Sequence, residues 1–273
     1  MSNISVCASC GIAEVDEVKL KECSACNLVR YCSDECQKNH ATYHKEACKK
    51  RAAELRDELL FKQPDGTHRG DCPICMIPLP LNKKSIIMSC CSKLICRVCH
   101  HANQKREYEG RIEHACPFCR EPIPSTDEGF EKQRMKRIKA NDPVAMRREG
   151  VVQYKKGDYS SAFEYFARAA ELGDAEAHYQ LSLLYDEGHG VEKDRGKEIY
   201  HLEEAAIGGH PDARFNIGFE EDESGNIERA VKHWIISANL GDDGSIKTLM
   251  ALFKQGKVSK DVLALPSVHT RPP

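Results

Sequence analysis

The sequence predicts a mainly α-helical chain in which two small cysteine-rich modules precede a solenoid of helical repeats. Three observations predict this fold class. All fifteen cysteines of the 273 residues lie between Cys7 and Cys119. A glycine-marked motif recurs in the cysteine-free half at spacings of 36 and 32 residues. Between these parts, residues 51–69 and 125–142 are rich in charged side chains and are expected to form helical linkers.

The paired spacing of the cysteines favours zinc over disulfide bonds. With His44, the cysteines provide sixteen potential ligands, enough for four tetrahedral zinc ions. A tight Cys-x2-Cys turn aims two sulfur atoms at one ion at about 2.3 Å. The N-terminal residues lack the apolar core of a signal peptide, and no stretch approaches the ~18 apolar residues of a membrane span. We therefore expect a reducing compartment, the cytoplasm or the nucleus, where thiols stay free to bind metal.

The first cysteine module, within residues 1–50, has its ligands in four successive pairs, and spacing alone leaves sequential and interleaved combinations open. His44 and Cys48 are one helical turn apart, which suits a shared metal. The string Tyr31-Cys32-Ser33-Asp34-Glu35-Cys36-Gln37, followed by His44 and Cys48, resembles the MYND zinc finger. That resemblance implies a cross-brace fold with short β-hairpins that docks short, often proline-containing peptides. The ligands it implies are Cys7, Cys10, Cys32 and Cys36 for one zinc, and Cys23, Cys26, His44 and Cys48 for a second.

Two residues of the last helix of this module stand apart from the ligand sets. His40 also lies one turn from Cys36, but both sites are filled without it. MYND fingers usually have tryptophan at the position of Ala41. Replacing that large apolar group by a methyl group is expected to change the packing of the helix and its binding of peptides.

The second cysteine module, within residues 70–124, resembles a RING finger from Cys72-Pro73-Ile74-Cys75 to Cys116-Pro117-Phe118-Cys119. The ligands implied are Cys72, Cys75, Cys96 and Cys99 for a third zinc, and Cys90, Cys91, Cys116 and Cys119 for a fourth. Lys93 stands where a common RING has histidine, and a protonated lysine cannot bind zinc. Cys90 is its expected replacement, as in all-cysteine variants. The competing ligands are His100, His101 and His114.

RING ubiquitin ligases act through a surface that holds a ubiquitin-conjugating enzyme, and they have no covalent catalytic residue. Ile74, Pro117 and Arg120 match that surface. An arginine at this position can donate several hydrogen bonds in a fixed fork. The alternative is that Ile74 and Pro117 shape the zinc turns and that Arg120 is a solvated loop residue.

The cysteine-free half, residues 143–265, contains a motif of two small residues followed by glycine, which ends at Gly173, Gly209 and Gly241. Small residues let two helices approach closely, and the glycine ends the second helix of each pair, so the period predicts a helix-pair solenoid. The loop Gly188-His189-Gly190-Val191-Glu192-Lys193-Asp194 resembles the Sel-like branch of tetratricopeptide-related repeats. Such stacks bind peptides or partner proteins on a concave surface. Residues 266–273 are expected to be a disordered tail.

The charge distribution argues against nucleic acid as a partner. Residues 143–265 contain 15 basic and 22 acidic side chains, which leaves +4 for residues 1–142. Fifteen thiolates and four Zn²⁺ ions turn that +4 into about −3, so the excess positive charge that binds phosphates is missing. We expect an interaction protein that binds proteins and short peptides and that acts as a ubiquitin ligase. The alternative is a scaffold with purely structural zinc, and a nucleic-acid-associated regulator is a remote one.

Overall fold

The computed structural model describes residues 5–15, 18–81 and 85–260. It confirms the predicted fold class, because helices dominate the described residues and two short hairpins accompany the cysteine modules. The chain divides into two compact units, Met1–Lys62 and Gln63–Pro273. Over the described residues, no helix combines the length and apolar character needed to cross a bilayer. The expected tail, residues 266–273, lies outside the described part of the chain.

The first unit consists of a two-stranded hairpin and one long helix. Strand β1 (Lys21–Glu22) pairs antiparallel with β2 (Arg30–Tyr31), and α1 spans Asp34–Leu60. The side chain of Ser33 accepts a hydrogen bond from the backbone N–H of Cys36 and so caps the helix. Because α1 continues unbroken past Cys48, residues 51–60 of the predicted linker belong to the same helix as the last ligands of the first module.

The second unit begins with the second cysteine module. Strand β3 (Ser85–Ile87) pairs antiparallel with β4 (Leu94–Cys96), followed by α2 (Arg97–Gly110) and, after the module, α3 (Asp127–Lys139). The buried apolar cluster of this module has five residues, and two of them, Cys72 and Cys116, are cysteines. We expect a core of this size to need bound metal for stability.

Seven helices of twelve or thirteen residues form the rest of the described chain. They are α4 (Pro143–Lys155), α5 (Tyr159–Glu171), α6 (Ala175–Glu187), α7 (Arg195–Ile207), α8 (Pro211–Glu223), α9 (Ile227–Asn239) and α10 (Asp243–Lys254). Each packs against the next. The side chains of Asp142, Asp174 and Asp242 cap three of the helices in the same way, each accepting a hydrogen bond from a backbone N–H three residues on.

Close helix contacts in the repeats depend on small residues that face large ones. A Cβ added at Gly150 would lie 2.6 Å from the ring of Phe166, and one added at Gly218 would lie 2.3 Å from the indole of Trp234. Both aromatic residues are 1 % exposed. The glycines therefore set the distance between the two helices of their repeats.

The second half of the predicted linker packs against the repeats. The backbone N–H of His68 donates to the carbonyl of Gly209 at 3.0 Å, and Asn239 donates from Nδ2 to Oε1 of Gln63 at 3.1 Å. A Cβ at Gly209 would come within 2.7 Å of the carbonyl oxygen of Gly66. Residues 63–69 thus join the second cysteine module to the repeats within one unit.

Candidate metal centres

Four of the cysteine pairs share one backbone turn. In each Cys-x2-Cys pair of this group, the residue after the second cysteine has positive φ, and its N–H bonds to the carbonyl of the first cysteine at 2.8–3.0 Å. The four residues with positive φ are Gly11, Asn27, Met76 and Arg120. This turn leaves both sulfur atoms of a pair on one side, which is the arrangement that a tetrahedral ion requires.

The first module brings its ligands together in two interleaved sets. Four sulfur atoms, those of Cys7, Cys10, Cys32 and Cys36, lie within 4.8 Å of one another. The Cys10–Cys32 and Cys32–Cys36 sulfur distances are 3.5 and 3.6 Å. Ligands about 2.3 Å from a tetrahedral zinc lie about 3.8 Å apart, so these spacings suit zinc.

In the second set of this module, two ligands come from the turn of the hairpin and two come from α1. It consists of Cys23, Cys26, His44 and Cys48. The Cys26 sulfur is 3.1 Å from Nε2 of His44, and the Cys23 and Cys48 sulfur atoms are 3.8 Å apart. Because His44 and Cys48 are separated by one helical turn, α1 presents both on one face.

The second module has the same interleaving. One set consists of Cys72, Cys75, Cys96 and Cys99, with 3.9 Å between the sulfur atoms of Cys75 and Cys96. The other consists of Cys90, Cys91, Cys116 and Cys119, with Cys91–Cys116 at 3.7 Å and Cys90–Cys119 at 3.3 Å. The sets that the resemblances implied are therefore the sets that the fold brings together, while zinc binding by these residues remains a prediction.

Cys91 sits in a turn like those of the four pairs, with Met88 in the place of the first cysteine. Ser92 has positive φ, and its N–H bonds to the carbonyl of Met88 at 2.7 Å. Cys91 thus takes the position of a second cysteine, and Cys90 comes from the residue before it. The cysteine spacing did not predict this turn, because it begins at Met88, which is not a candidate ligand.

The thiols of these sets have unequal proton affinities. Burial raises the pKa of Cys7, but the N–H groups of Cys10 and Cys32 outweigh it and lower this pKa to about 6. Backbone N–H groups lower the pKa of Cys72 to about 6 in the same way, against burial. Contact with the neighbouring thiols of its set instead raises the pKa of Cys32 to about 12. A divalent cation is what would hold all four members of a set as thiolates.

Two of the histidines that competed for metal, His40 and His114, have other partners. Nδ1 of His40 is 3.1 Å from the hydroxyl of Tyr31. Nδ1 of His114 is 2.5 Å from the buried carboxylate of Glu107, whose pKa falls because this bond and one from the N–H of Ala115 outweigh its burial. None of the competing histidines lies in a cysteine set of the described residues.

A fifth group of possible ligands, His68, Glu176 and His210, joins residues 63–69 to the repeats. Nε2 of His68 lies 3.3 Å, and Nε2 of His210 3.5 Å, from the same oxygen of Glu176, and the two rings stack with centroids 4.3 Å apart. His210 also caps α8, because its Nδ1 accepts a hydrogen bond from the N–H of Ala213 at 3.3 Å.

That cap argues against a metal at this group. A neutral imidazole that accepts at Nδ1 has its proton on Nε2, and that nitrogen then donates instead of binding metal. Burial raises the pKa of Glu176, but the hydrogen bonds from His210 and His68 outweigh it and hold this pKa well below its usual range. The group therefore fits a carboxylate that accepts from two imidazoles.

The residues expected to contact a ubiquitin-conjugating enzyme lie at the turns of the second module. Ile74 is 45 % exposed, Arg120 is exposed and Pro117 is half-buried. The neighbouring Met76 and Ile77 are also exposed apolar side chains. Ile74 is thus available to a partner.

Family models match two parts of the chain. The MYND finger matches residues 7–48, and the Sel1 repeat matches residues 146–174, 175–210 and 211–242. The first module is therefore a MYND finger, which implies zinc, and the helices from α4 onward contain Sel1 repeats. Neither match covers the second module, so its likeness to a RING finger remains a prediction.

Relatives are similar to the chain over short stretches. DAP3-binding cell death enhancer 1 of Mus musculus is 40 % identical over 50 residues, 18 % of this chain and 10 % of its own length. Chitin synthase regulatory factor 4 of Schizosaccharomyces pombe is 30 % identical over 92 residues, 33 % of this chain and 14 % of its own length. A solved Sel1 repeat protein from Oxalobacter formigenes is 26 % identical, with a TM-score of 0.46 over 50 % of this chain and 58 % of that one. The chain thus spans a small part of these curated relatives.

Proposed function

We propose that this chain is a zinc-dependent protein-interaction protein in which the MYND finger docks peptides and the Sel1 repeats bind a partner protein. The observation that supports it most is the pairing of a MYND finger with a helical-repeat array. Repeat arrays of this kind offer extended binding surfaces. The name of the mouse relative describes a protein that binds another protein, DAP3. Four zinc ions and a location in the cytoplasm or nucleus are part of this proposal.

A second function is proposed for the second cysteine module, that of a RING-type ubiquitin ligase. Exposed Ile74 between the first paired cysteines, next to exposed Met76 and Ile77, favours it. Arg120 directly follows the last cysteine, and its guanidinium could donate to a conjugating enzyme and to ubiquitin. In this reading the module positions the loaded enzyme and forms no covalent bond to ubiquitin.

The ligase function is tested by autoubiquitination of the zinc-loaded full chain with a panel of ubiquitin-conjugating enzymes. We expect ubiquitinated product with at least one enzyme, and a loss of tenfold or more with Ile74→Ala or Arg120→Ala. Val98→Ala is the matched control, because Val98 is an exposed apolar residue of the same module. Absence of product with every enzyme would leave the chain as a scaffold with structural zinc.

A further inference from the structure

A pocket of about 340 Å³ lies in the MYND finger between the hairpin and one face of α1, and the candidate ligands Cys23, His44 and Cys48 form part of its lining. Ala25 and Tyr31 line it from the hairpin side, and Ala41 and Ala52 line it from α1. The accessible lining is mainly apolar. Position 41 provides only a methyl group, so the helix leaves this space open where MYND fingers usually have tryptophan.

The size of the pocket suits one large side chain. An apolar cavity of roughly 150 Å³ can hold a benzene ring. The pocket in the MYND finger is more than twice as large, so an indole or phenol ring of a bound peptide can enter it beside the candidate ligands. Burying such a ring removes a large apolar area from water, which makes it the main source of affinity for a short peptide.

The charges around the pocket indicate which residues should lie next to the aromatic residue in the peptide. Lys45 and Lys49 are exposed and belong to the lining, whereas the lining contains no aspartate or glutamate. Neither lysine forms an ion pair within the described part of the chain. Cys23, Cys26 and Cys48 as thiolates and His44 as a neutral imidazole would hold a Zn²⁺ ion with a net charge of −1, so with the two lysines the total charge at the pocket would be about +1.

We propose that this pocket binds one aromatic side chain of a partner peptide whose neighbouring residues are acidic. The proposal rests on the peptide-docking function proposed for the MYND finger and names the class of peptide. The ring fills the space above Ala41, and the acidic residues lie beside Lys45 and Lys49. The amide of Gln37, which also lines the pocket, is available to the peptide backbone.

The test uses three fluorescein-labelled peptides and the zinc-loaded full chain, with binding measured by fluorescence anisotropy. The peptides are Asp-Glu-Trp-Glu-Asp, the same peptide with glycine in place of tryptophan, and Lys-Lys-Trp-Lys-Lys. We expect the first to bind at least tenfold more tightly than either of the others. Its affinity should fall as the salt concentration rises, because exposed charges are screened.

Two variants of the chain separate the roles of the ring and the charges. Ala41→Trp fills the pocket, and the double substitution Lys45→Glu with Lys49→Glu reverses its charge. Each variant should bind the acidic tryptophan peptide at least tenfold more weakly than the wild type. Lys38→Glu is the control, because Lys38 is exposed on α1 and does not line the pocket. Far-UV circular dichroism and metal analysis establish that each variant is folded and zinc-loaded. If Ala41→Trp misfolds, the variant with both lysines replaced still tests the proposal.

Equal binding of the acidic and basic tryptophan peptides, or unchanged binding by the folded lysine variant, would overturn the proposal. A fourth peptide, uncharged and proline-rich, distinguishes this failure from failure of the docking function. If only that peptide binds, the MYND finger still docks peptides and the acidic aromatic class is wrong. If no peptide binds, both the peptide class and peptide docking by this finger are contradicted.

Discussion

At the scale of single residues, the least regular metal site is the one that contains two adjacent cysteines. Cys91 occupies a turn that starts at Met88, and this turn has the backbone of the other paired cysteines. Cys90 reaches the set from one residue earlier and lies 3.3 Å from Cys119. Burial raises the pKa of Cys90, and the thiols of Cys119 and Cys116 raise it further. Burial also raises the pKa of Cys116, but the backbone N–H groups of Cys119 and Phe118 outweigh it and lower this pKa, so without a cation Cys90 keeps its proton more firmly than Cys116.

Substitution of Cys90 or Cys91 by serine should lower the zinc content of the purified chain from four ions to three. Either change leaves three sulfur ligands, too few to close a structural tetrahedron. Metal analysis by mass spectrometry of the wild type and both variants measures the content. Ser92→Ala is the control, because it changes a neighbour that is no ligand. Four ions in Cys90→Ser would show that Cys90 is not a required ligand of this set.

The contacts of His68 could not be predicted from the sequence. The cysteine sets followed from paired spacing and from resemblances whose motifs lie within about fifty residues. His68, by contrast, meets Glu176 and His210 from far along the chain, and each of the three alone is an ordinary polar residue. No local pattern marks such a group, because tertiary packing alone brings its members together.

At the scale of elements, the repeats depend on an alternation of small and large side chains between helices. The sequence predicted the helix pairs from the glycine period, and the Sel1 matches confirm them. It predicted a helical linker after the first module, and α1 does continue to residue 60. It did not predict that residues 63–69 would pack against Gly209. A charged segment favours a helix by propensity, but where the helix ends and what the next residues contact depend on the rest of the fold.

Gly218→Ala should destabilise the repeats by about 1–3 kcal/mol, as overpacking of a tight core does. The added Cβ would lie 2.3 Å from Nε1 of Trp234, which donates to the carbonyl of Phe215 at 3.2 Å. The indole must move, and this hydrogen bond weakens. Urea unfolding followed by tryptophan fluorescence measures the change, since Trp234 is the single tryptophan of the chain.

Gly196→Ala is the matched control for that substitution. Gly196 lies in the first turn of α7, where an added Cβ would meet no atom closer than 3.4 Å. The exchange should leave stability unchanged or raise it by up to about 1 kcal/mol, because alanine restricts the unfolded chain. A loss for Gly196→Ala equal to that for Gly218→Ala would show that contact with Trp234 is not the cause.

At the scale of the whole molecule, the two kinds of core have different origins of stability. The cysteine modules have few buried apolar residues apart from the candidate ligands. The repeats have clusters built from Phe166, Leu181, Trp234 and similar side chains, and these clusters contain no candidate zinc ligand. We therefore expect the modules to need metal to stay folded, whereas the repeats are held by packing.

Removal of zinc with excess EDTA should unfold the cysteine modules and leave most of the helical signal in place. Far-UV circular dichroism measures the helices, and limited proteolysis with mass spectrometry locates the opened segments, which we expect before residue 127. EDTA saturated with zinc before addition is the control. Complete loss of the helical signal would contradict the independence of the repeats from metal.

The interleaving of the ligand sets also has a consequence for the order of synthesis. The first set stays open until Cys36 has been made, and the fourth until Cys119, although Cys7 and Cys90 precede them by about thirty residues. At roughly 5–20 residues per second, each of these sets stays incomplete for seconds after its first thiol has been made. Newly made chains are thus most vulnerable to oxidation before their last cysteines appear, so the supply of zinc and of reductant at the ribosome would decide how many of them mature.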